Sequence, residues 1–63
     1  MDSLPEFTYL VYDTWQKDLP VYVGDSISDI ARFLGITVHG VREDIRHGYL
    51  VGRRYGVEKV KLT

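Results

Sequence analysis

The chain has 63 residues, 44% of them hydrophobic and 13% aromatic, which is enough for one small core and too rich in aromatics for a disordered segment. It has no cysteine, so neither a disulfide nor a thiolate metal site supports the fold. Net charge is −1, but unevenly spread: residues 1–29 set Lys17 against six carboxylates, whereas residues 30–63 set seven Lys and Arg against three.

A domain of this size buries only about 60% of its unfolded surface, so modest stability is expected. Met1-Asp2 is an acidic start with no apolar run behind it, which speaks against a signal peptide, and no stretch approaches the ~20 apolar residues of a membrane span. A cytoplasmic protein is expected.

Residues 1–6 read as a flexible lead ended by Pro5. Phe7 to Tyr12 (FTYLVY) is aromatic and β-branched and predicts a strand, with Phe7, Tyr9 and Val11 on one face and Leu10 and Tyr12 on the other. Asp13 to Asp18 is polar and turn-like, apart from Trp15, which is expected to fold over the sheet edge as core cover. Leu19 to Val23 reads as a second strand, entered through Pro20, so residues 7–23 form a β-hairpin.

Residues 26–48 predict two helices and a tight turn. Ile27, Ile30, Ala31 and Leu34 fall at i, i+3, i+4, i+7, one helical face. Ser26 suits an N-cap, with Asp29 three residues on as an approximate capping box. Gly35 follows the last periodic residue, where a left-handed C-cap favours glycine. Thr37 then caps a second helix from Val38 to His47, which Gly48 ends. Its inner stripe is Val38, Val41 and Ile45.

In residues 49–63, Tyr49-Leu50-Val51 is short and apolar, Gly52-Arg53-Arg54 is a basic turn, and Tyr55 to Leu62 is a last strand that changes its apolar face near Glu58. That change predicts a bulge or an edge strand, paired with the first strand. The expected fold is α+β: a helix pair packed on a small antiparallel sheet, in one domain.

The run Ile30-Ala31-Arg32-Phe33-Leu34-Gly35-Ile36-Thr37, followed by Val41 and Ile45, resembles the helix-turn-helix superfamily, with its buried Ala, turn Gly and hydroxyl cap. A helix pair followed by a basic hairpin also resembles the winged form, with residues 52–54 at the wing tip. The whole layout is similar to the modular DNA-binding repeats of homing endonucleases and to small phage or mobile-element proteins of Gram-positive bacteria. The resemblance implies sequence-specific binding of double-stranded DNA and regulation of transcription, without a catalytic site.

On that reading the second helix enters the major groove. His39, Arg42, Glu43 and Arg46 share its polar face, and Arg42 and Arg46 are the candidates for bidentate guanine or phosphate contacts. Thr37 is placed to bond a phosphate from its cap, and Gly40 to let the backbone approach closely. Glu43 is suited to accept from cytosine N4 or to exclude wrong sequences. Arg53, Arg54, Lys59 and Lys61 are expected on flanking phosphates. A single module buries little DNA surface, so a two-fold homodimer is expected to help, through an outer strand face with Tyr9, Tyr12 and Tyr22.

The rival reading is a protein-interaction module acting on a host protein, suited by the acidic first half and by Trp15 and Tyr22. No cofactor is expected. Neither a glycine-rich phosphate loop nor a clear acid/base pair supports an enzyme. His39, Glu43 and His47 at i, i+4, i+8 fall short of a metal site, because the face drifts by about 40° per step and a third ligand is needed elsewhere.

Overall fold

The computed structural model describes residues 6–62, so the lead expected over residues 1–6 lies outside the described residues except for Glu6. Strand β1 is Phe7–Asp13; a 3₁₀ turn, Thr14–Gln16, leads to β2, Leu19–Gly24. Helices α1, Ile27–Leu34, and α2, Val38–His47, follow, and β3, Tyr55–Lys61, closes the chain. The strands form one antiparallel sheet in the order β2-β1-β3. The α+β arrangement expected from the pattern is the one observed.

The helices cover one face of the sheet. Val11, Ile30, Ala31, Val41 and Val51 form the fully buried core, with Tyr9, Val21, Tyr22, Leu34, Val38, Ile45 and Val57 packed around it. Register explains the choice of face. Val11 pairs with Val57 on one side and Tyr22 on the other, and side chains on opposed residues of an antiparallel pair share a face. Leu10 and Tyr12 point the other way. Tyr9 and Tyr22 therefore face the helices, and Tyr22 stacks on Phe33 of α1 with ring centroids 4.4 Å apart. The outer face expected to carry Tyr9, Tyr12 and Tyr22 keeps only Tyr12 of the three.

Of the two outcomes predicted from the change of face near Glu58, a bulge or an edge strand, the edge strand is the one observed. β1 and β3 pair without interruption from Phe7↔Lys61 to Asp13↔Tyr55, and β3 is an edge strand. The register shift is in β2, where Val11 faces Tyr22 and Tyr12 faces Pro20, leaving Val21 as the extra residue. Pro20 has no N–H to give to a ladder, so a bulge beside it costs little pairing.

Both helices begin and end on the predicted residues. The Ser26 hydroxyl accepts from the Asp29 N–H at 3.2 Å, and the Asp29 carboxylate reaches back to the Asp25 N–H at 3.1 Å. Gly35 takes φ +72°, in the left-handed region, and the Ile36 N–H donates to the Ala31 carbonyl at 3.0 Å. At the far end of α2, Gly48 takes φ +75° and the Tyr49 N–H donates to the Asp44 carbonyl at 2.8 Å, which closes a Schellman motif. Ala31 is buried where the helices meet, so no side-chain bulk holds them apart.

Candidate nucleic-acid interface

Helix α2 is attached on one side and open on the other. Val41 is fully buried, and Val38 and Ile45 pack against the core. His39, Arg42 and Arg46 are exposed on the opposite side. These are the residues the 3.6-residue period brings together, and the structure does bring them together.

Thr37 is the N-cap of α2, its hydroxyl accepting from the Gly40 N–H at 3.0 Å. Gly40 has a local reason. A Cβ there would stand 3.1 Å from the Thr37 hydroxyl, so glycine makes room for the cap. Close approach to a ligand is not needed to explain it.

Glu43 sits between two partners on its own helix, with its carboxylate 3.5 Å from the Arg46 guanidinium and 3.6 Å from the His47 imidazole. The Arg46 side chain is 72% exposed. Solvated pairs one helical turn apart contribute about 0.3–0.5 kcal/mol. That is small beside the 1–3 kcal/mol of a good bidentate base contact, so the pair does not hold Arg46 back. Among the described residues Arg42 has no salt-bridge partner.

The four basic residues expected to flank α2 divide three ways. Arg53 is exposed, with φ +59°, at the tip of a tight turn whose neighbour Gly52 takes φ +61°. Consecutive positive φ values are what a type I′ hairpin turn requires, and the Arg54 N–H closes it on the Val51 carbonyl at 3.2 Å. The tip borders α2 across an open groove of about 810 Å³, lined by Asp44, Gly48, Tyr49, Leu50, Gly52 and Arg53.

The Arg54 side chain is engaged inside the fold. Its guanidinium makes two bonds to Asp13, 2.9 Å from Nε and 2.6 Å from Nη2, and Asp13 is only 1% exposed. Those bonds hold the Asp13 carboxyl well below the usual carboxylate range, helped by the Gln16 side chain and the Trp15 N–H and opposed by burial. Asp13 in turn keeps Arg54 more firmly protonated. Lys59 and Lys61 lie away from the tip. Lys61 pairs with Phe7, six residues along β1 from Asp13, which is about 20 Å of strand. The Lys59 ammonium rests over the Phe7 ring at 4.1 Å.

Trp15 corrects a further expectation. It does not cover the core: it is 69% exposed, and the Arg54 guanidinium lies over its ring at 4.7 Å from the centroid. Asp13, Thr14 and Trp15 are thus the residues sequence reasoning missed. The available signal was Asp13 itself, an acid on the Val11 face of a strand, where burial demands a partner.

No family model, curated protein or solved structure matches this chain.

Proposed function

We propose that the chain binds double-stranded DNA, with the outer face of α2 in the major groove and Arg42 and Arg46 as the principal contacts. One observation carries the reading. Those guanidiniums stand exposed on a helix whose other side is fixed by Val41, directly after a tight, glycine-capped turn. A rigid helix presenting paired Arg residues suits both phosphate and guanine. Arg53 borders the same helix and suits a flanking phosphate. A sequence-specific regulator, of the kind that the helix-turn-helix resemblance implies, is the role this geometry supports best.

The test is binding to random-sequence duplexes at low and moderate salt. Wild type is expected to bind, more weakly as salt rises, because phosphate contacts release counterions. Arg42→Ala with Arg46→Ala should lower affinity by at least tenfold while the circular dichroism spectrum is unchanged, since each contact is worth about 1–3 kcal/mol. Unaltered binding by the double variant would refute the reading.

A protein-binding role is the second reading, and it has its own observation. Tyr49 and Leu50 are exposed, at 66% and 42%, along the groove between α2 and the 52–54 turn. Aromatic side chains in a groove are common anchors for protein partners. Absence of any DNA retention at low salt would favour it.

A further inference from the structure

The 52–54 turn is held by little of its own. Its hairpin has one bridged pair, Val51 and Tyr55, joined by backbone bonds of 2.7 and 2.9 Å. A two-stranded hairpin of that length is marginal without outside support. Its base is supported by the core through Val51 and Tyr55, and its tip by bonds from the far side of the sequence to Arg54, next to the exposed Arg53.

Arg54 is gripped twice. Its carbonyl accepts the Thr14 hydroxyl at 2.6 Å and the Thr14 N–H at 3.1 Å. Its guanidinium makes the fork to Asp13 and is stacked near Trp15 and Tyr55. Both backbone and side chain of this residue are therefore fixed to the end of β1. Val51 and Tyr55, at the base of the hairpin, belong to the hydrophobic core or pack against it, whereas Arg54 ties the turn beyond them to Asp13 and Thr14.

We infer that Asp13 and Thr14 are positioning residues that act through Arg54, aiming the 52–54 turn so that Arg53 meets a phosphate beside the groove occupied by α2. The inference rests on the DNA-binding reading. It makes Arg54 an internal strut and leaves Arg53 as the contact. A fixed tip loses no freedom on binding, whereas a loose one must be ordered first.

The experiment measures the salt dependence of binding to short random-sequence duplexes. Arg53→Ala should lower the slope of log affinity against log salt by about 0.9, the value of one phosphate contact. Arg54→Lys keeps the charge but not the fork, and should lower the slope by a similar amount. The Arg53→Ala, Arg54→Lys double variant should match Arg53→Ala alone, because one effect runs through the other. Circular dichroism establishes that each variant is folded. If Arg54→Lys does not fold, Thr14→Val, which removes one hydroxyl, should show the same change more weakly.

A folded Arg54→Lys or Thr14→Val protein with the wild-type slope overturns the inference. So does an additive double variant, or an Arg53→Ala protein that binds like wild type. In these three cases the DNA reading stands on Arg42 and Arg46. Failure of the wild type to bind at low salt overturns the reading itself, and the inference with it.

Discussion

Asp13 is the residue whose chemistry departs furthest from its ordinary state. It is buried, ionised and bonded to Arg54, and its carboxyl is held well below the ordinary 3.8. A depressed carboxyl contributes stability that is present above the unfolded value and lost as pH falls through 3.8 toward the folded value. Wild type should therefore lose thermal stability on acidification below about pH 4, more steeply than Asp13→Asn, which has no proton to take up there. Thermal melts of both proteins from neutral pH downward provide the measurement; parallel curves would sink the idea. The fork was not legible in the sequence, since its partners are 41 residues apart and no local pattern links them. Lys17, by contrast, has φ +56° in a loop whose handedness only the hairpin geometry reveals.

The helix pair and its tight turn were the most legible part of the chain, because their determinants act within four or five residues. Ser26, Gly35, Thr37 and Gly48 all occupy the cap positions that their chemistry predicts. Gly35 illustrates how far such local reasoning carries. A Cβ there would meet nothing within 4 Å, so the cost of Gly35→Ala is purely one of backbone, about 1 kcal/mol for the left-handed conformation. Thr37→Ala should cost a similar ~1 kcal/mol, by leaving the Gly40 N–H without its acceptor. For a domain of this size each should lower the melting temperature by roughly 4–8 °C, and the two together by about the sum. A change below 1 °C in either would show that the turn is held by packing instead. The sheet was less legible. Its strands were readable from alternation, but the bulge at Val21 depends on how β2 meets β1, and register is a long-range property.

At the scale of the whole molecule, charge was the least legible property. Counting basic residues after position 30 suggests one positive surface, yet Arg54 is spent on Asp13, and Lys59 and Lys61 sit toward the other end of the sheet. The sheet edges use their polar residues defensively: Pro20 and the bulge blunt β2, while exposed Glu58, Lys59 and Lys61 put charge along β3. On the proposed reading, affinity for DNA then depends on the balance of charge on α2. Glu43 sets that balance. It stands between Arg46 and His47, and it repels any phosphate that approaches them. Removing its charge through Glu43→Gln forfeits about 0.3–0.5 kcal/mol of helix pairing, too little to unfold the domain. The same change removes a negative charge from a surface proposed to face a polyanion, where each unit of charge matters most at low salt. Glu43→Gln should thus bind random-sequence duplexes several-fold more tightly than wild type at low salt, an advantage that shrinks as salt rises. If Glu43 also accepts a hydrogen bond from cytosine N4, discrimination between duplexes selected from a random pool should fall in the same variant. Fluorescence anisotropy with the two proteins on one set of duplexes decides both points. Equal affinity at low salt would mean that α2 does not face the phosphates at all.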